Sequence, residues 1–211
     1  MGYYPLFLEV AGRPCVVIGG GPVAEHKVER LLQVEASVTV ISPRLSPRLA
    51  NLAQEGKIRH VGRDYRPGDL AGSQLAFVAT GEGEVNAAVA REGRGRGVWV
   101  NAADDPTHCD FILPSVLRRG ALVVAAATGG ASPALPRAVR EELEAYFTPE
   151  YAVLAEVVAE VRRELKEGSR LPGGDAWRRA LDGDLRRLIA EGRRDEAKAR
   201  LFWRLRAGRC G

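Results

Sequence analysis

The stretch Val16–Ala24, which reads VVIGGGPVA, ends a short apolar run with three glycines and leads into a segment with helical spacing of apolar residues. Its Gly-x-Gly-x-x-Ala pattern is weak evidence alone. A predicted strand before it and a predicted helix after it supply the context of a dinucleotide-binding turn. Gly19 would permit the tight turn, and Gly21 would let a pyrophosphate approach the backbone. The pattern predicts cofactor contacts at Gly19, Gly20, Gly21, Pro22, Val23 and Ala24; the alternative is a glycine-rich turn without a ligand.

The residues after the second predicted strand do not distinguish an NAD site from an NADP site. An NAD site usually has an acidic residue at the end of the second strand, where it binds the ribose hydroxyls. Here the second predicted strand is followed by Ser42, Pro43 and Arg44. Ser42 could bind a ribose hydroxyl, whereas Arg44 could equally accept the 2′-phosphate of NADP. Both cofactors therefore stay open at this point.

Strand-like and helix-like patterns alternate along the first half of the chain. The predicted strands are apolar throughout, which is typical of a parallel sheet covered by helices on both faces. We therefore predict an α/β fold, a Rossmann-like doubly wound parallel sheet, over residues 1–113. The predicted strands cover residues 15–18, 38–41, 58–61, 75–79 and 98–100, with helices over 23–33, 46–54 and 85–92.

The second half of the chain divides into two further parts. Residues 114–147 contain a predicted apolar strand at 121–127, a glycine-rich loop and a helix over 137–146, and form a small α/β region. Residues 148–211 form a C-terminal helical region, whose first helix has one apolar stripe. Two more helices are predicted over 176–190 and 194–205.

Composition narrows the range of functions. With 45% hydrophobic and 27% charged residues, the chain has the composition of an ordinary globular protein. The net charge of +4 comes without aromatic-basic or zinc-finger patterns, so we expect no nucleic-acid partner. We expect no membrane span and no signal peptide. Three widely spaced cysteines, Cys15, Cys109 and Cys210, without a CxxC pair favour a cytoplasmic protein without a resident metal site.

Five motifs occur in order along residues 3–165. They are Tyr4-Pro5-Leu6-Phe7, the run from Gly19 to Lys27, Ala79-Thr80 with Asn86, the run from Asn101 to Asp104, and Phe111 to Ser115 with Gly129 to Pro133. Together these motifs resemble the precorrin-2 dehydrogenase/sirohydrochlorin ferrochelatase family, the N-terminal half of siroheme synthase. His26 stands where that family usually has an arginine.

The resemblance implies oxidation of precorrin-2 to sirohydrochlorin with hydride transfer to NAD⁺, and insertion of Fe²⁺ into the product as a second activity. It implies a homodimer, with residues 114–147 as the dimerisation region. Because members of the family use NAD, it favours NAD over NADP. It assigns catalysis to Asp104, cofactor contacts to Thr80 and Asn86, and substrate contacts to Arg137, Arg140, Gly129 and Gly130. The glycine turn and Ser42, taken from the residues above, complete the expected cofactor site.

The residues themselves support part of this assignment. Asp104 follows a predicted strand end, where doubly wound sheets place ligands, and a carboxylate there could take the proton released with hydride transfer. Asp105, before Pro106, is typical of a turn. Imidazole suits iron, but a hydrogen-bonded or surface role for His108 is simpler. The alternatives are a dehydrogenase without chelatase activity, a different NAD(P)-dependent dehydrogenase, and a dinucleotide-sensing regulatory domain.

Overall fold

A computed structural model describes residues 2–168 and 171–207 of the chain. It divides the protein into two compact units, Met1–Ile112 and Leu113–Gly211. Each unit has its own set of packed elements, and the two are described in turn.

The first unit is the predicted doubly wound sheet. Its strands are β1 (Pro14–Ile18), β2 (Ser37–Ile41), β3 (Arg59–Val61), β4 (Leu75–Val78) and β5 (Trp99–Ala102). They are all parallel and lie in the order β3-β2-β1-β4-β5. The helices are α1 (Pro22–Leu32), α2 (Pro47–Gln54) and α3 (Gly83–Arg96), and a short 3₁₀ turn covers Pro106–His108. The predicted fold class is confirmed.

Burial on both faces explains why β1 is apolar throughout. Cys15 and Val17 pack on one face, in the core that α1 and α2 cover. Val16 and Ile18 point to the opposite face, where Val89 of α3 packs against the sheet. Successive side chains of a strand alternate between faces, so a strand with helices on both sides needs apolar residues at every position. Burial raises the pKa of the Cys15 thiol to about 11, which keeps it uncharged.

The second unit begins with an antiparallel hairpin. Strand β6 (Ser115–Arg119) pairs with β7 (Leu122–Ala126), and helices α4 (Ala134–Tyr146) and α5 (Glu150–Glu167) follow. The prediction contained β7 but missed β6. The reason is physical: β6 buries only Leu117, so its sequence SVLRR has no apolar run.

The C-terminal helices differ from the prediction in number. The single helix expected over 176–190 is two helices, α6 (Gly174–Ala180) and α7 (Gly183–Ala190), followed by α8 (Arg194–Ala207). Asp182 causes the break, because its carboxylate accepts a hydrogen bond from the Leu185 N–H at 2.9 Å and caps α7. The same carboxylate forms an ion pair with Arg204 of α8, a contact that no local pattern could indicate.

A hydrophobic core joins α5 to the three helices that follow it. The predicted apolar stripe of α5 consists of Leu154, Val157, Val158, Val161 and Leu165. Val157, Val161 and Leu165 are buried in one cluster with the fully buried Leu201 and Leu205 of α8, and Leu154 and Val158 are partly buried against it. Within the two ranges that the structure describes, no helix combines the length and the apolar character needed to cross a membrane. Cys210 lies outside those ranges.

The contact between α3 and β5 predicts opposite effects for two alanine substitutions. A Cβ added at Gly93 would overlap the Val100 side chain and lie 2.9 Å from the Val98 carbonyl oxygen. Gly93→Ala should therefore lower the free energy of unfolding by about 1 to 3 kcal/mol. Gly95, on the same helix, has no atom within 4 Å of such a Cβ.

Gly95→Ala is the matched control. Because alanine restricts the unfolded chain more than glycine, this change should raise stability by about 0.4 to 1 kcal/mol. Urea denaturation of both variants measures the difference in the free energy of unfolding. Equal changes in the two variants would show that helix propensity, and not packing against Val100, determines the effect of alanine at position 93.

Candidate functional site

Loops after four parallel strands meet at the carboxyl edge of the sheet. They begin at Gly19 after β1, Ser42 after β2, Ala79 after β4 and Ala103 after β5. The chain moves from β1 toward β2 on one side and occupies β4 and β5 on the other. Such a reversal of strand order opens a crevice outside the carboxyl ends, and doubly wound proteins bind ligands there.

The first two glycines of the turn are required by close backbone contacts. Gly19 has φ +116, and a Cβ there would lie 2.5 Å from the carbonyl oxygen of Ala79. A Cβ at Gly20 would overlap the carbonyl oxygen of Arg44. The turn is also hydrogen-bonded to β2 and to the loop that follows it, since the Gly19 N–H donates to Ile41 at 2.9 Å and the Gly20 carbonyl accepts from Ser46 at 2.8 Å. These two positions therefore shape the turn itself.

Gly21 has a different environment. A Cβ at this position would meet no atom within 4 Å, and Gly21 precedes α1 without a side-chain cap. The first N–H groups of a helix lack partners within the helix, and Pro22 has no N–H to lose. The open space at Gly21 thus lies next to the positive end of α1, an arrangement that suits a phosphate.

Ser42 holds the neighbouring loop. Its buried hydroxyl donates to the Arg44 carbonyl at 2.7 Å, and its own carbonyl lies 2.9 Å from His60 Nε2. Because the hydroxyl hydrogen is used inside the loop, Ser42 could serve a ribose only as an acceptor. The Arg44 side chain is exposed.

Asn86 carries an unsatisfied acceptor on the other side of the crevice. This residue of α3 is only 6% exposed, and its Nδ2 donates to Asp105 Oδ2 at 3.2 Å. Among the described residues, its Oδ1 has no donor. An unpaired buried polar atom costs about 1 to 3 kcal/mol, so a ligand hydroxyl or amide N–H would be stabilised there. Thr80, half-buried at the end of β4, accepts from the Glu82 N–H at 3.3 Å.

Two adjacent aspartates after β5 have different environments. Asp104 has φ +58, the left-handed region that Asp and Asn tolerate, and its side chain is exposed. Asp105 accepts hydrogen bonds from Thr107 at 2.6 Å and from His108 Nδ1 at 2.7 Å. Those bonds, with that from Asn86, lower the pKa of the Asp105 carboxyl to about 2. The sequence indicated only a turn at Asp105; its i, i+3 spacing with His108 was the available sign of the pair.

The segment that follows these aspartates is fixed to β5. The Cys109 thiol accepts from the Ala102 N–H and lies within hydrogen-bond distance of the Ala102 carbonyl, each at 3.2 Å. Asp110 accepts from the Val100 N–H at 2.8 Å. Both ends of the 103–110 loop are therefore held by the strand, which restricts the position of Asp104.

Lys27 turns out to connect α1 with β5. Its Nζ donates to Asn101 Oδ1 at 3.3 Å and lies 5.8 Å from the centre of the Phe77 ring. Asn101 in turn donates to the Phe111 carbonyl at 3.0 Å. Burial is the main reason that the pKa of Lys27 is lowered. No pattern in the sequence indicated the link between Lys27 and Asn101.

The predicted substrate residues belong to the second unit. Thr128 closes the loop around Gly129 and Gly130, because its Oγ1 donates to the Ser132 carbonyl at 2.9 Å and accepts from the Ser132 N–H at 3.3 Å. Arg137 is exposed on α4. Arg140 is paired with Glu141 at 3.1 Å and with Glu144, so a substrate carboxylate would have to compete with both. In the parts of the chain that the structure describes, no three His, Cys, Asp or Glu side chains form a metal-ligand group.

Strand order, glycine turn and crevice define a Rossmann-type nucleotide-binding domain. Residues 6–115, about half of the chain, match the family model described as "Putative NAD(P)-binding", and the protein belongs to this NAD(P)-binding family. This match confirms the predicted class of cofactor, an NAD(P) dinucleotide, without distinguishing NAD from NADP.

Curated relatives extend the similarity to most of the chain. The siroheme synthase of Methylobacillus flagellatus is 38% identical over 198 residues, which are 92% of this chain and 42% of the relative. That of Chromobacterium violaceum is 37% identical over 212 residues, 99% of this chain and 45% of the relative. The chain thus spans less than half the length of these relatives.

A solved structure shows the same fold. The structure titled "SirC, precorrin-2 dehydrogenase" aligns with a TM-score of 0.77 at 24% identity and covers 94% of this chain and 98% of that one. At this identity the likeness establishes the fold alone.

Gly21→Ala should separate cofactor binding from folding. The added Cβ meets no protein atom and Gly21 has φ −93, so we expect the free energy of unfolding to change by less than about 1 kcal/mol. The methyl group would occupy the space proposed for the pyrophosphate, so the Kd for NAD⁺ should rise at least about tenfold, or about 1.4 kcal/mol. Isothermal titration calorimetry and thermal unfolding measure the two effects.

Gly20→Ala supplies the contrast. Its Cβ overlaps the Arg44 carbonyl, so this variant should lose both stability and NAD⁺ affinity. If Gly21→Ala binds NAD⁺ as well as the unmodified protein, the pyrophosphate does not lie at Gly21.

Proposed function

We propose that this protein is a precorrin-2 dehydrogenase that oxidises precorrin-2 to sirohydrochlorin and uses NAD⁺ as the hydride acceptor. The observation that carries the proposal is the position of Asp104. The exposed carboxylate of Asp104 follows the end of β5, on the same edge of the sheet as the glycine turn. Similarity to siroheme synthases over nearly all of the chain supports this choice of substrate.

The proposed reaction needs a hydride acceptor and a proton acceptor. A bound NAD⁺ would supply the hydride acceptor. The Asp104 carboxylate takes the accompanying proton, so precorrin-2 and NAD⁺ give sirohydrochlorin, NADH and one proton. The N–H groups of Val23 and Ala24 would hold the pyrophosphate, and Asn86 Oδ1 would accept from a cofactor hydroxyl or amide. The guanidinium of Arg137 suits a substrate carboxylate.

The choice of NAD⁺ over NADP⁺ rests on the family resemblance, because Arg44 is compatible with a 2′-phosphate. Calorimetric titration of both dinucleotides tests it. We expect NAD⁺ to bind more tightly, and Arg44→Ala to leave its Kd unchanged. Tighter binding of NADP⁺ that is lost in Arg44→Ala would reverse the assignment.

Anaerobic incubation of the protein with precorrin-2 and NAD⁺ tests the function directly. Sirohydrochlorin and NADH should appear together and in equal amounts. If NAD⁺ binds and no product forms, the dinucleotide-sensing alternative is favoured instead.

Insertion of Fe²⁺ into the product stays a prediction from the resemblance, and adding Fe²⁺ to sirohydrochlorin, with an enzyme-free control, tests it separately.

Asp104→Asn should stop turnover without disturbing the fold. Asparagine tolerates the left-handed backbone at this position, so only the proton-accepting carboxylate is lost. We expect kcat to fall by about 10² or more, with the Kd for NAD⁺ unchanged. NADH formation and calorimetry measure the two quantities.

Asp64→Asn is the matched control, because Asp64 is exposed and its backbone carbonyl, which the substitution keeps, accepts a hydrogen bond from Arg63. Its kcat should equal that of the unmodified protein. Full activity in Asp104→Asn would remove the proposed role of Asp104.

We propose that residues 114–147 form the interface of a homodimer. Within β6 and β7, both fully described, Leu117 is the only buried residue, and α4 buries none. Val116 is 37% exposed and Leu135 is 54% exposed. A two-stranded hairpin is marginally stable alone, so a second copy would supply apolar cover that this region lacks.

A charge in this region should separate the subunits. Val116→Glu would place a carboxylate in the proposed apolar interface, and sedimentation velocity should then show monomers where the unmodified protein gives dimers. Trp203→Glu on the exposed side of α8 is the control and should stay dimeric. A monomeric unmodified protein, or a dimeric Val116→Glu variant, would contradict the interface.

A further inference from the structure

We propose that a cavity between the start of α5 and the helix α7 binds a small zwitterion, a molecule with an ammonium group and a carboxylate group on an apolar body. The cavity has a volume of about 460 Å³, which lies within the usual range for small-molecule sites. All of its lining residues belong to the second unit. The proposed dehydrogenase reaction does not use this cavity.

The positive charge in the cavity is a guanidinium without a carboxylate partner. Arg186 of α7 lines the cavity, and its Nη1 donates to the Tyr151 hydroxyl at 3.3 Å. This bond is the main reason that the pKa of Arg186 is raised, so the side chain stays charged. In the described parts of the chain Arg186 forms no ion pair, whereas the adjacent Arg187 is paired with Asp184 at 3.3 Å.

The negative charge in the cavity belongs to Glu150, the first residue of α5. Its Oε2 is buried and, among the described residues, has no hydrogen-bond donor. A hydrogen bond from Thr148 is the main reason that the pKa of Glu150 is lowered, so the carboxylate is ionised at neutral pH. An unpaired buried acceptor is unfavourable, and an N–H group of a ligand would therefore be stabilised there.

The two opposite charges line one cavity without pairing with each other. Glu150 and Arg186 are both fully described, and no ion pair joins them, because Arg186 is held by Tyr151 instead. A simple anion in the cavity would be repelled by Glu150, and a simple cation would be repelled by Arg186. A ligand with one charge of each sign satisfies both residues at once.

Apolar groups determine what lies between the two charges of the ligand. Leu154 and the nearly buried Ile189 line the cavity, together with the rings of Tyr146 and Tyr151, whose centroids are 6.3 Å apart. Such surfaces bind an apolar or aromatic body, and the face of a tyrosine ring also attracts an ammonium group. An amino acid with an aromatic side chain has all three of these features.

Three related probes separate the contributions of the two charges. L-phenylalanine carries both charges, 2-phenylethylamine lacks the carboxylate, and 3-phenylpropionate lacks the ammonium group. In NMR titrations of the full chain, we expect L-phenylalanine to bind with a Kd of about 1 mM or lower, and about tenfold more tightly than either of the other probes.

Two charge-neutralising variants assign each charge to its residue. Arg186→Gln should remove the preference for L-phenylalanine over 2-phenylethylamine, and Glu150→Gln should remove the preference over 3-phenylpropionate. Each should raise the Kd for L-phenylalanine about tenfold. Glu156→Gln on α5 and Arg178→Gln on α6 neutralise exposed charges outside the cavity and should leave that Kd unchanged.

Equal affinity for the three probes, or no binding of L-phenylalanine at about 10 mM, would overturn the proposal. An unchanged Kd in Arg186→Gln would also overturn it. Arg186 is exposed, so its variant keeps the test decisive even if thermal unfolding shows that Glu150→Gln is destabilised at the start of α5. These titrations contain neither a dinucleotide nor a tetrapyrrole, and their outcome is therefore independent of the proposed function.

Discussion

Close backbone contact at the end of β1 determines the shape of the whole carboxyl edge of the sheet. The Gly19 and Gly20 positions lie against the carbonyl groups of Ala79 and Arg44, which belong to the segments after β4 and β2. No side chain fits in either place. Because these contacts join three loops at one point, they leave Gly21 and the first turn of α1 facing open space. This packing supports the pyrophosphate site that we propose at Gly21 and the start of α1.

A second set of contacts holds the β5 end of this edge. Lys27 joins α1 to Asn101, and Asn86 joins α3 to Asp105. Cys109 and Asp110 attach the following segment to the backbone of β5. The exposed Asp104 thus sits on a loop whose neighbours are fixed from both faces of the sheet. Such rigidity suits a group that must hold a constant position while it exchanges protons.

The two units differ in how completely they bury their apolar residues. The sheet of the first unit is covered on both faces, and the C-terminal helices share a core of their own. The hairpin and α4 have little core of their own. The first unit therefore buries its apolar residues by itself. Residues 114–147 do not, and for them we propose that a second copy of the chain covers the exposed apolar side chains.

The sequence by itself determined the parallel sheet, the glycine turn and the stripe of α5, because burial on both faces or on one helix face leaves a periodic apolar pattern in local sequence. It also gave five ordered motifs, from which the candidate residues were drawn. Only the tertiary structure decided that β6 is a strand, that Asp182 divides the helix expected over 176–190, that Lys27 reaches Asn101, and that Asp105 is paired with Asn86 and His108. Each of these depends largely on hydrogen bonds or burial between residues of different elements or turns. Such contacts depend on distances between atoms in the folded protein, so they produce no periodic pattern of apolar residues in the sequence.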